Sequence, residues 1–173
     1  MTFFKKSLPK KKYTMAEGKK IIAVNRKARH DYFVEDTYEA GIALYGTEVK
    51  SVRMGQVNLK DSYCRVIDGE MFALGVHISP YEKGNIFNRE PMRDKKLLMH
   101  KKEILKLQQY VTRDSYTLVP LSLYFSGSNV KMEVGLCKGK KLWDKRESDA
   151  KAEASREIER VTKSRGRRGG YEE

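Results

Sequence analysis

Apolar positions alternate cleanly in only a few parts of the chain, and those parts set the expected architecture. Tyr32, Phe33, Val34, Thr37 and Tyr38 favour a strand, which Ile42–Tyr45 extends. Gly41 inside that run predicts a bulge or a sharp bend. "GTEVKSVRMG" predicts a short helix, with Gly46 or Thr47 as its cap, Val49 and Val52 on one side and Gly55 as its stop. "DSYCRVIDGEMFALGVHI" predicts a hairpin, because Asp68-Gly69 suits a type I′ turn with positive φ at both central residues.

The stretch "SPYEKGNIFNREPMRD" is a loop long enough to expect a role. "KKLLM" predicts a short strand. "HKKEILKLQQYV" predicts a helix with Ile104, Leu107 and Val111 on one face, and Glu103 stands three residues after His100 as in a capping box. "YTLVPLSLYF", "SGSN" and "VKMEVGLC" form a second hairpin, whose first strand must be an edge or bulged at Pro120. Five or six short, mostly antiparallel strands with one short and one longer helix predict a mainly β fold with flanking helices: a small OB-like barrel.

Beyond Trp143 the pattern fails. The only bulky apolar residues left are Ile158, Val161 and Tyr171, although the residue types favour a helix. A helix without an apolar face does not pack on its own domain. Its Glu147–Lys151 and Glu159–Lys163 (i,i+4) pairs contribute a few tenths of a kcal/mol each. Residues 144–165 are therefore expected to be mostly disordered when free and to become helical on a partner. The expected organisation is a disordered basic arm, 1–18, a barrel, 19–137, and a basic tail, 138–173.

Charge says what the partner is. The formal net charge is +13; residues 1–20 hold a net +6, residues 138–173 a net +4 and the long middle only +3. Basic ends on a nearly balanced centre suit a polyanion, against the plainer reading of solubility alone. Three scattered histidines with no ligand spacing, and no Walker A, GxSxG or GxGxxG motif, argue against catalysis, a metal or a cofactor. Cys64 and Cys137 lie in apolar stretches and suit buried thiols, and the N-terminus has no apolar leader segment, so a cytoplasmic protein is expected. Aromatic and basic residues lie together at Arg29, His30 and Tyr32, at Arg53, Lys60 and Tyr63, and at Lys138–Lys141 with Trp143, a combination that suits RNA.

The segments "NRKARHDYFVEDTYEAGIALYGTEVKSVRMGQVNLKDSY", "HISPYEKGN", "KKLLMHKKEI", "TLVPLSLYF" and "KGKKLWDKRE", in that order, resemble the SmpB family, the SsrA-binding proteins of bacterial trans-translation. The resemblance runs from about Lys19 to about Lys163. It implies an OB barrel that binds the tRNA-like domain of transfer-messenger RNA and brings it to stalled ribosomes. The tail would enter the empty mRNA channel near the small-subunit decoding centre, and the protein itself would perform no chemistry. Alanyl-tRNA synthetase and elongation factor Tu would be met through the RNA.

The positions matching the family's RNA contacts are Asn25, Tyr32, Glu39, Leu98, His100 and Lys131, with Arg26, Lys27, Arg29 and His30 in the adjoining basic run. The tail positions are Lys138, Gly139, Lys140, Lys141, Trp143, Asp144, Lys145 and Arg146. Glu39 cannot be a phosphate contact; it either accepts hydrogen bonds from base amino groups or positions a basic neighbour. Many members have His where this chain has Trp143, so stacking rather than proton transfer is the role expected there. The alternative readings are a general OB-fold tRNA- or ribosome-binding factor and a nucleic-acid-processing enzyme.

Overall fold

The computed structural model describes residues 19–168, so the arm 1–18 and the end 169–173 lie outside the described residues. Nine strands and four α-helices follow in the order β1 (Lys19–Val24), α1 (Arg26–Asp31), β2 (Tyr32–Ile42), α2 (Gly46–Arg53), β3 (Val57–Asn58), β4 (Tyr63–Ile67), β5 (Glu70–Leu74), β6 (His77–Ile78), β7 (Lys95–Leu98), α3 (Lys101–Arg113), β8 (Thr117–Ser126), β9 (Asn129–Gly139) and α4 (Leu142–Arg168). The chain divides into two compact units between Lys138 and Gly139.

In the first unit the mainly antiparallel pairings run β1-β8-β4-β5-β7-β2-β9, and β8 also pairs with β9. The sheet thus returns to β8 and closes on itself, leaving β1 as an added strand, which is the OB-like arrangement expected. Closure removes the open edges that a small sheet would otherwise expose. The core inside it includes Met71, Leu97, Leu107, Leu118, Leu123, Met132 and Val134, all nearly inaccessible to water.

Local turn chemistry fixes the two hairpins. Asp68 and Gly69 have φ of 52° and 75°, and Ile67 pairs with Glu70 across them. Between β8 and β9, Ser126 pairs with Asn129, and of the two loop residues Gly127 alone has positive φ, the pattern of a type II′ turn. Pro120 is accommodated as expected, by a register shift between Pro120 and Ser122.

Four expectations change. β1 and α1 were not among the predicted elements. β1 exposes most of its residues and forms by pairing with β8, a hundred residues away, which no local pattern announces. The strand β2 does not break at Gly41 and ends at Ile42 rather than Tyr45. Gly41 is there because Leu98 crosses close by, so that an added Cβ would lie 3.2 Å from the Leu98 Cβ. The cap of α2 is neither Gly46 nor Thr47 but Tyr45, whose N–H donates to Glu48 Oε2 at 2.8 Å. In α3, Ile104 and Leu107 are buried while Val111 faces water. Its Glu103 accepts the His100 N–H at 3.3 Å, as a capping box requires.

The second unit is α4, 27 residues long. Its start is held by Asp144, whose carboxylate accepts the Lys141 N–H at 3.1 Å. Trp143 is exposed, as is every residue from Glu153 to Arg160.

Candidate RNA interface

Four neighbouring strands bring distant charges together. Glu39 is near the end of β2, Tyr124 on β8 stands opposite Lys131 on β9, and Lys19 begins β1. Glu39 Oε1 accepts from the Lys131 ammonium; Oε2 accepts from the Tyr124 hydroxyl and, at 2.9 Å, from Lys19 Nζ. Lys19 Nζ also donates to the Tyr124 hydroxyl at 3.3 Å and lies 4.5 Å above its ring. These donors, Lys131 foremost, hold the Glu39 carboxyl at a pKa of about 2. Burial first, and then the adjacent carboxylate, push the Tyr124 phenol up to about 12. The Lys19 ammonium is raised chiefly by its bond to Glu39.

Three of roughly four acceptor positions on Glu39 are thus occupied from within the protein. Of the two roles open to this acid, the geometry favours the positioning of basic neighbours. One carboxylate between two ammonium groups leaves a net positive, pre-oriented cluster.

That cluster borders a groove of about 710 Å³ lined by Glu39, Leu98, His100 and Lys131; its wall also carries Lys96 and Lys101 and the acids Asp68, Glu70 and Glu103, with Lys96 paired to Glu70 at 2.6 Å. Three widely separated stretches of the sequence meet here: β7 pairs with β2 through Gly41 and Leu98, α3 starts just beyond β7, and β9 neighbours β2. Leu98 is 56 % exposed, an apolar surface beside cations. Lys19 and Tyr124 belong to this site but carry no local signal in the sequence; their contacts with Glu39 depend on long-range strand pairing.

The α1 positions form a second group. Asn25 is buried and fully engaged: Nδ2 donates to Leu59 O (2.9 Å) and Pro120 O (3.1 Å), and Oδ1 accepts the Ala28 N–H (3.0 Å). It caps α1, so any part it has in RNA binding is to hold that helix. The local mark of this cap is an Asn ahead of a short basic run, although no helix was predicted there. Arg26, Lys27 and Arg29 are exposed on α1, with Lys27 paired to Asp61 at 2.5 Å. His30 Nδ1 lies 2.9 Å from Asp31 Oδ1. Tyr32 packs half-buried against Ala28, Val119, Leu121 and Cys137, and lines a smaller groove with Lys27 and Asp61.

The tail positions make a third group. Lys138 and Gly139 end β9, both exposed; Lys140 and Lys141 lead into α4, whose first turns carry Trp143, Asp144, Lys145 and Arg146. Trp143 is 63 % exposed. No group of His, Cys, Asp or Glu suited to a metal occurs among the described residues, and no helix there is long and apolar enough to cross a membrane.

Fold and surface together define a small OB-like barrel protein with a groove lined by both lysines and carboxylates and a polar helical extension. The sequence profile of the SmpB family, described as SmpB protein, matches residues 22–164. The chain belongs to that family. The SsrA-binding protein of Acetivibrio thermocellus is 60 % identical over 147 residues, covering 85 % of this chain and 96 % of its own. That of Clostridium tetani is 56 % identical over 155 residues, covering 88 % and 99 %. A solved structure described as "tmRNA-SmpB: a journey to the center of the bacterial ribosome" contains a chain with 49 % identity and a TM-score of 0.59 over 69 % of this chain and 85 % of that one.

Proposed function

We propose that this protein is an RNA-binding adaptor of ribosome rescue. It binds the tRNA-like domain of transfer-messenger RNA and delivers it to ribosomes stalled without a stop codon. It works in the cytoplasm, carries no cofactor and catalyses no reaction; the synthetase and elongation factor that serve the RNA are reached through it.

The observation that carries this reading is the groove in which Glu39, Leu98, His100 and Lys131 converge, in a chain of the SmpB family. Glu39 presents Lys19 and Lys131 to the phosphates, and prior orientation lowers the entropy lost on binding. Leu98 offers an apolar surface to a ribose or base face. The exposed cations of α1 extend the contact.

The tail, 138–173, has the complementary task. α4 offers no apolar face to a protein core, which supports a site walled by RNA, the empty mRNA channel. There the Trp143 ring stacks near the decoding centre, and the cations around it neutralise phosphate. In the free chain this helix is marginal, and the channel stabilises it.

Sequencing the RNA that co-purifies with the full-length protein tests the proposal. Transfer-messenger RNA should dominate. A broad tRNA population would replace the reading with a general tRNA-binding factor. Specific cleavage of labelled RNA in the presence of Mg²⁺ would overturn the adaptor role in favour of an enzyme.

A further inference from the structure

The loop 79–94 carries the two most exposed large apolar side chains among the described residues, Ile86 (83 %) and Phe87 (72 %). They occupy a tightly built tip. Asn88 clamps it shut: Nδ2 donates to Tyr81 O (2.9 Å) and Oδ1 accepts the Tyr81 N–H (3.1 Å). Gly84 packs so closely on this clamp that an added Cβ would lie 2.2 Å from Asn88 Oδ1. Asn85 takes a φ of +42°, an uncommon conformation for a residue other than glycine.

Two anchors fix the tip to the barrel. The Thr47 hydroxyl donates to Phe87 O at 3.2 Å. The buried Lys95 ammonium joins both sides of the loop's base, donating to Val76 O (2.7 Å), Pro91 O (3.0 Å) and Arg93 O (3.0 Å). Backbone held in a sparsely populated conformation so as to present two apolar side chains to water is the mark of a docking element.

The surroundings select its partner. Tyr45, half exposed, has Arg89 and Arg93 each 4.7 Å from its ring, and Lys50 lies 5.2 Å from the Tyr81 ring. Arg93 is paired with Glu48, and the Lys95 ammonium is spent on backbone carbonyls. Around the tip Lys50, Arg53, Lys83 and Arg89 stand against Glu82, Glu90 and Asp94, a balance that stays positive. An aromatic tip bordered by cations suits an unpaired base with its flanking phosphates.

The same base is not the one held by the groove. The loop enters β7 at its N-terminal end, whereas the groove, which reaches back along β7 to Lys96, is centred on Leu98 to Lys101, at and beyond the C-terminal end of that strand. An adaptor that carries one RNA to another needs a second face. We propose that the Ile86–Phe87 tip is that face: Phe87 stacks on an unpaired base of ribosomal RNA while Arg89 and Lys50 meet the adjoining phosphates. This rests on the assignment of the groove to transfer-messenger RNA.

The test uses the full-length protein, loaded with transfer-messenger RNA and bound to stalled ribosomes, with a benzoylphenylalanine photocrosslinker in place of Phe87. The crosslink should fall in ribosomal RNA; a crosslink to a ribosomal protein or to transfer-messenger RNA overturns the inference. In parallel, Phe87→Tyr should keep ribosome affinity, whereas Phe87→Leu and Phe87→Ala should weaken it at least about fivefold. Affinity for transfer-messenger RNA and melting temperature should stay unchanged in all three, since the side chain is exposed. A Leu variant that binds ribosomes as well as the wild type would point to an apolar protein pocket and overturn base stacking. Failure of the wild type to bind transfer-messenger RNA would instead sink the groove assignment, and the crosslink would still report on the tip.

Discussion

The barrel and the tail of this protein solve opposite problems. From Lys19 to Lys138 the chain hides Met71, Leu97, Leu107, Leu118, Leu123 and Met132 inside a closed sheet and leaves charge outside. From Leu142 to Arg168 it forms a single helix whose described large apolar side chains, Trp143 and Ile158, are 63 % and 68 % exposed. The first region's shape is determined by its own burial. The second rests on backbone hydrogen bonds, an acidic group at its start and exposed charged side chains, a combination that leaves an isolated helix close to balance. Shape intrinsic to the chain therefore ends near Gly139, and the helix beyond it suits a shape imposed by an external surface.

Cutting the chain after Gly139 puts the comparison under the greatest strain. Tagging of proteins on stalled ribosomes should fall to background, while affinity for transfer-messenger RNA, measured by gel shift or filter binding, should barely change. If RNA binding disappears with the tail, the two regions share one task and the division is wrong.

Truncating one apolar side chain in each region measures the same contrast in stability. Leu123→Ala removes a fully buried side chain from the centre of β8 and should cost about 2–5 kcal/mol in urea unfolding. Ile158→Ala removes an exposed one and should stay within about 0.5 kcal/mol. Comparable losses would mean that α4 buries its apolar residues in the free protein.

The contrast also explains what could be read from the sequence. Asp68-Gly69 and the Gly127 turn announce their hairpins because the required φ values are a property of those residues themselves. Pro120 signals a bulge because a missing N–H is equally local. By contrast, β1 has no alternation to detect and exists only through its pairing with β8. The site follows the same rule. Glu39, Leu98, His100 and Lys131 were found through family resemblance, and spacing alone would not have joined them. Lys19 and Tyr124, whose partner Glu39 is 20 and 85 positions away, were missed. Asn25 was named through the family resemblance; its capping bond to the Ala28 N–H is local, but its bonds to Leu59 and Pro120 are fixed only by the closed sheet.

Trp143→Ala sharpens the contrast at its boundary. The ring is exposed, so the melting temperature of the barrel should hold. Rescue activity should drop, by an amount consistent with the loss of about 1–3 kcal/mol of stacking, and Trp143→His should restore much of it. A large fall in melting temperature would place the ring in a core and remove it from the tail's task.

The smallest effect concerns the ion cluster of the groove. Glu39 has its pKa lowered from 4.5 to about 2 by Lys131, Tyr124 and Lys19, so its ionised form favours the folded state. That contribution is complete above about pH 4.5, declines as the pH falls toward about 2, and vanishes below, where the group is protonated both folded and unfolded. The side chain is 41 % exposed, so water and salt screen the cluster and its effect on stability is modest. Glu39→Gln should accordingly be less stable than the wild type at neutral pH, with the two unfolding curves converging as the pH approaches 2. The same variant should bind transfer-messenger RNA more weakly at neutral pH despite its added positive charge, because Lys19 and Lys131 lose the group that orients them. A gain in affinity would mean that net charge rather than orientation governs the groove, and the barrel would then differ from the tail in packing alone.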